Sequence, residues 1–211
     1  MLRPTLFLLL LLGLAPKGNV QPRPAKVDRP TQADGEGPSY TADGQLKMPE
    51  RYREWVFLTS GLDMSYSPGG ATASHSMFDN VFVNPAAWRA FQQTGTWPDK
   101  TTLVLEVREA QGASSINRRG HTQSPEIRGM EVHVKDARLK GGWAFYEFNG
   151  AVSAKPIDRP ASCYQCHESH AAVDTTFVQF YPTLLGLAKT KHTLGAAYLK
   201  EIDPAESKES K

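Results

Sequence analysis

Residues 163–167 read Cys163-Tyr164-Gln165-Cys166-His167, the pattern C-x-x-C-H. This is the attachment sequence of a c-type haem. Two thiols three positions apart can each add to a vinyl group of one porphyrin and form two thioethers. The imidazole that follows then binds the iron as an axial ligand. Cys163 and Cys166 are therefore assigned as haem-binding and His167 as the iron ligand. A redox dithiol would not need His167. A zinc site would need further soft ligands, and the chain has 2 cysteines in all.

The chain has 211 residues and a formal net charge of +2, enough for one domain with a core and appendages. No charge excess points to nucleic acid. Arg3 followed by an apolar run from Thr5 to Ala15 reads as a signal peptide over 1–15, too short to span a bilayer comfortably. An uncleaved anchor is the alternative. Either exports the domain, and covalent haem attachment in bacteria happens outside the cytoplasm, so a periplasmic location is expected. Residues 16–47 show no apolar period and read as a flexible linker. The haem domain is expected over 48–195, and a frayed charged tail over 196–211.

Within the domain, His75 to Val83 is strand-like. Asn84-Pro85 starts a helix carrying Trp88 and Phe91, and Gly95 stops it. Leu103 to Arg108 alternates, with Leu103, Leu105 and Val107 on one face and Val104, Glu106 and Arg108 on the other. Residues 110–129 read as a long polar loop. Glu131 to Lys135 is a second alternating strand, whose Glu131, His133 and Lys135 face looks solvated. Trp143 to Phe148 and Asp174 to Tyr181 read as further strands, with a short helix over 184–189. The fold class is α+β, mainly β: an antiparallel sheet with a few short helices and the haem motif between the last two strands.

In order and spacing the chain resembles the cytochrome P-460 family over about residues 50–190. The segments that carry the likeness are Tyr52-Arg53-Glu54-Trp55, Val81-Phe82-Val83-Asn84-Pro85-Ala86-Ala87, Thr94-Gly95-Thr96-Trp97-Pro98-Asp99, Leu103-Val104-Leu105-Glu106, Val134-Lys135-Asp136, Gly142-Trp143-Ala144-Phe145, the haem motif and Phe177-Val178-Gln179-Phe180-Tyr181-Pro182. The resemblance implies one c-type haem packed on an antiparallel sheet, a five-coordinate iron with an open distal side, and a homodimer. The family's hydroxylamine-oxidising members carry a lysine–porphyrin bond. The related cytochromes c′-beta lack that bond and bind nitric oxide or carbon monoxide. The cross-linking lysine aligns with Leu105 here, with Lys100 and Lys135 as the nearest alternatives. Leu103, Leu105 and Val107 would then make an apolar distal wall.

Trp143, Phe145 and Phe177 are further candidates for the haem pocket, and core packing explains the same residues. Arg108 could hold a propionate, or pair with Glu106 across the strand. His170, three residues past His167, reads as a surface residue. A sixth iron ligand would make the protein an electron carrier with a soluble redox partner. Its candidates are Met64, Met77, Met130, His75, His121 and His133. The leading expectation is binding or redox conversion of a small nitrogen oxide or diatomic. The electron carrier and a hydroxylamine oxidase are its rivals.

Overall fold

A computed structural model describes residues 37–66 and 75–203. The expected signal peptide, residues 16–36 of the linker, the turn at 67–70 and the end of the tail lie outside the described residues. Five strands form one antiparallel sheet in the order β2 (Val56–Leu62), β3 (Met77–Val83), β4 (Thr102–Gln111), β5 (Thr122–Lys135) and β6 (Trp143–Glu147). A small second sheet pairs β1 (Leu46–Lys47) with β7 (Ser153–Ala154). Four α-helices complete the described residues: α1 (Pro85–Thr94), α2 (Ser162–His170), α3 (Pro182–Thr190) and α4 (Ala196–Ile202). This is the mainly β architecture that the sequence predicts.

Both faces of the large sheet are covered, and strand alternation divides their residues. Val83, Leu103, Trp143 and Phe145 join a core with Phe91 of α1 and Leu184 of α3. Val104, Val132, Val134 and Tyr146 form a second core on the other face with Leu46 and Tyr52. The second core corrects the domain boundary. Leu46 is fully buried and Lys47 N donates to Ser39 O at 2.8 Å, so ordered chain begins before Met48. At the other end Tyr198 of α4 is buried, so 196–202 belongs to the domain.

Two local readings also change. Residues 110–129 are a loop only over 112–121. β4 and β5 run on as a twisted ribbon to Gln111 and Thr122, with register shifts around Arg108. Residues 174–181 are not a strand. They form a tight turn, an isolated bridge between Val173 and Thr176, and a 3-10 turn at Val178–Phe180. The haem motif thus follows the sheet and lies on α2.

α1 begins and ends as its sequence predicts. Asn84 holds the N-cap position with extended backbone, but its side chain accepts from Thr102 N at 2.8 Å instead of capping the helix. Gly95 closes the helix at φ 76°, and a Cβ there would lie 2.7 Å from Lys191 Cβ. The position needs glycine for both reasons.

Candidate functional site

α2 is fastened to the sheet by the first variable residue of C-x-x-C-H. The Tyr164 ring stacks on Phe145 of β6, centroids 4.4 Å apart and planes 11° apart. Its hydroxyl donates to Ile157 O at 3.1 Å and accepts from Phe145 N at 3.2 Å. The Arg159 guanidinium covers the ring's outer surface at 3.9 Å. With the helix fixed this way, Cys163 and Cys166 lie three apart on one side of it, both half-buried free thiols.

His167 lies against β5 and β6. Its ring is 4.7 Å from Phe145, 4.9 Å from His133 and 4.2 Å from Phe177. Nδ1 is 2.7 Å from the carbonyl oxygen of Thr175. A carbonyl only accepts, so Nδ1 carries the proton and Nε2 keeps its lone pair. Burial, with help from the neighbouring His133, lowers the imidazole pKa to about 4. The ring is therefore neutral, as a metal ligand must be.

His167 lines a cavity of about 260 Å³ between α2 and the sheet. Leu103, Leu105 and Val107 supply its floor with Val81, and Phe177 its side. A second cavity of about 280 Å³ lies beside it, lined by Cys166 and sharing Tyr66, Phe177 and Phe180 as walls. Among the described residues no metal-binding cluster of histidine, cysteine and carboxylates occurs.

The remaining expected pocket residues are placed elsewhere. Phe145 supports His167 from beneath rather than lining the cavity. Trp143 is buried in the core away from it. Arg108 projects from the opposite face of β4. Its guanidinium donates to Glu106, to Ser124 O at 2.8 Å and to Pro125 O at 2.6 Å, which corrects the propionate assignment. Neither lysine alternative lines the cavity. Lys100 pairs with Asp136 at 2.5 Å, and Lys135 donates to Trp97 O at 2.7 Å.

The face of β5 that looked solvated is the one that meets the cavity. Glu131 and His133 line it, and so does Asp79 of β3, which pairs in register with Val107. The wall is thus mixed, not purely apolar. The two carboxyl groups are pushed in opposite directions. The nearby His133 imidazole holds Glu131 below the usual carboxylate range, despite burial. Burial, then the charge of Glu131, raises Asp79.

Of the six candidate sixth ligands, Met64 and His133 line the cavity. His133 touches His167 edge to face, which leaves no space for an iron between the two rings. Met130 is buried in the opposite core, and His75 and His121 are exposed. His170 is exposed too and pairs with Glu201 at 3.1 Å.

The family model for cytochrome P460 matches residues 49–178. The chain belongs to the cytochrome P460 family. Membership implies a haem, and the structure offers what a haem needs: two thiols on one side of a helix, a neutral imidazole with one free nitrogen, and adjoining cavities walled by aromatic, aliphatic and some polar side chains. No curated protein matches the chain.

Proposed function

We propose that this cytochrome P460-family protein is an exported, bacterial, mono-haem c-type protein that binds a small nitrogen oxide or diatomic at an open iron position. In this reading Cys163 and Cys166 hold the haem by thioethers and His167 is its axial ligand. Bound haem would supply the redox and ligand-binding chemistry. The observation that carries the reading is the cavity beside His167, floored by Val81, Leu103, Leu105 and Val107, none of which can ligate iron. That aliphatic floor, in a wall that also carries Asp79, Glu131 and His133, suits a neutral ligand such as nitric oxide or carbon monoxide. A periplasmic location and a homodimer belong to the same proposal, as does a soluble redox partner should the ligand be turned over.

A second reading rests on Asp79 and Glu131. Two cavity carboxyl groups with pKa values pushed apart can take up and release protons, which suits oxidation of a protonated nitrogen compound such as hydroxylamine. No lysine lines the cavity among the described residues, so this reading would proceed without a lysine–porphyrin bond.

The test is the optical spectrum of the ferrous protein, alone and with carbon monoxide. The expected result is an ordinary c-type ferrous spectrum and carbon monoxide binding without a slow displacement phase. A low-spin spectrum insensitive to carbon monoxide would replace the proposal with an electron carrier, and Met64→Ala would then restore binding. A red-shifted ferrous band with a mass for a third protein–haem bond would replace it with the cross-linked oxidase.

A further inference from the structure

We propose that Lys135, Asp174 and Trp97 form a clamp that positions the axial histidine, through the turn that carries the Thr175 carbonyl. The proposal rests on the reading of His167 as axial ligand.

The turn from Val173 to Thr176 has an unusual backbone for its residues. Asp174 and Thr175, its two central positions, have φ of 49° and 58°. Turns of that kind favour Asn-Gly, and a β-branched residue with positive φ is a genuine outlier. Such a conformation persists only where its surroundings over-determine it. Thr175 carries a second unfavourable feature. Its Oγ1 is buried with no hydrogen-bond partner among the described residues. Neither its side chain nor its backbone preference explains the residue's place. Its carbonyl does, because that group accepts the Nδ1 proton of His167 at 2.7 Å.

What over-determines the turn is visible on both arms. On the first, Asp174 Oδ2 accepts from Trp97 N at 3.0 Å and from Lys135 Nζ at 3.1 Å. Lys135 Nζ also donates to Trp97 O at 2.7 Å. On the second, Trp97 Nε1 donates to Thr176 Oγ1 at 2.8 Å, and that hydroxyl donates to Val173 O at 2.6 Å. One tryptophan, buried against Phe91 of α1 with ring centroids 4.3 Å apart, therefore holds both arms. Lys135 comes from β5, two residues beyond His133. The clamp thus ties the turn to the same strand that walls the cavity. A hydrogen bond from Nδ1 fixes the tautomer and ring orientation of a ligating histidine and raises its basicity. Lys135 and Asp174 are positioning residues in this scheme.

The experiment is resonance Raman of the ferrous haem protein, with its reduction potential, on Lys135→Met and Lys135→Arg. Methionine keeps the length and removes both donated hydrogen bonds. The iron–histidine stretch is expected to fall and the potential to rise in Lys135→Met, and both to return toward the parent in Lys135→Arg. A Lys135→Met protein of lower thermal midpoint whose stretch and potential match the parent overturns the proposal, since the clamp would then be structural only. If Lys135→Met does not fold, Asp174→Asn takes its place. It keeps the side-chain shape, a smaller shift in the same direction is expected, and an unchanged stretch overturns the proposal. Failure of the axial assignment reads differently: His167→Gly would retain the parent's iron–histidine stretch.

Discussion

The two faces of the large sheet both carry carboxylates, buried on one and only half-buried on the other, and they treat them in opposite ways. On the face toward the N-terminal segment, Glu106 is 1% exposed and fully engaged. Tyr52 and Arg53 donate to one of its oxygens, and Arg108 to the other. Asn80, within 3.4 Å of the same carboxylate, exchanges hydrogen bonds with Gln123. On the cavity face, Asp79 makes no hydrogen bond through its carboxylate among the described residues, and Glu131 lies 3.7 Å from His133, an ion-pair and not a hydrogen-bond distance. The first face is completed by protein alone. Among the described residues the second leaves the Asp79 carboxylate and the His167 Nε2 without a hydrogen-bond partner at the cavity, with the Cys166 thiol lining the one beside it. A protein interior satisfies nearly all its buried polar groups, and among the described residues Thr175 Oγ1 is the buried side-chain atom left without a partner; the half-buried groups that line the cavity stay available to a cofactor and its ligand.

The largest expected effect concerns the cavity face. Cys163→Ala combined with Cys166→Ala should turn a haem that resists acid–acetone into one that is wholly extracted. A parent whose haem already extracts would remove the thioether reading. Next comes the closed face. Glu106→Ala leaves the Arg108 guanidinium buried without its carboxylate, and breaking such a pair costs about 3–5 kcal/mol, read by urea denaturation with the haem spectrum retained. Burial would raise the Glu106 pKa, but the hydrogen bonds of Arg108 and Tyr52 and the two arginine charges more than reverse this, so the folded value is lowered. The stability from this group is present above the ordinary value of 4.5 and is lost as pH falls through the lower folded one. Glu106→Ala should therefore flatten the acid limb of the stability profile. Loss of haem with unchanged stability would reverse the roles of the two faces.

Much of this division was legible in sequence, and the failures have one cause. C-x-x-C-H, the limits of α1 and the alternation of β4 are set by local chemistry, which sequence displays. The orientation of β5 was not. Met130, Val132 and Val134 alternate with Glu131, His133 and Lys135, and the natural reading sends the polar set to water. In a sheet covered on both faces, alternation separates the faces without saying which meets solvent and which a cavity. That is why Asp79 and Glu131 go unread as cavity residues and why Arg108, rightly placed on the face of Val104 and Glu106, can still be offered a propionate that its face never meets. Residues 174–181 misled because aromatic spacing fits a strand and a 3-10 turn alike, and the clamp on Asp174 comes from residues far off in sequence. The N-terminal boundary failed for a similar reason. A linker-like composition surrounds one buried residue, Leu46. Leu46→Ala should lower stability by about 2–4 kcal/mol, and a chain starting at Met48 should show the same loss in its thermal midpoint. An unchanged midpoint would mean that β1 is dispensable to the second core.

The smallest effect sharpens the comparison most, because its sign is opposite. Asp79 stands half-buried in the cavity wall with its pKa raised, first by burial and then by Glu131 and Asp63. A raised carboxyl contributes stability that is present below the unfolded value of 3.8 and is lost as pH rises through the folded value. At neutral pH the ionised group is therefore a mild liability to the fold. Asp79→Asn keeps the shape and removes the charge, and should raise stability at pH 7 by roughly 0.5 kcal/mol, with no gain near pH 3, where both side chains are neutral. Glu106→Gln should lower stability at pH 7 instead. A group kept against the interest of the fold is a candidate for function, so the same Asp79→Asn protein separates the two readings of the cavity. If the cavity only binds a neutral diatomic, carbon monoxide affinity should change little. If it accepts protons from a nitrogen compound, hydroxylamine turnover should fall at least tenfold while carbon monoxide binding is kept. A destabilised Asp79→Asn protein would show instead that the carboxylate has a partner in the fold, and the contrast between the two faces would not stand.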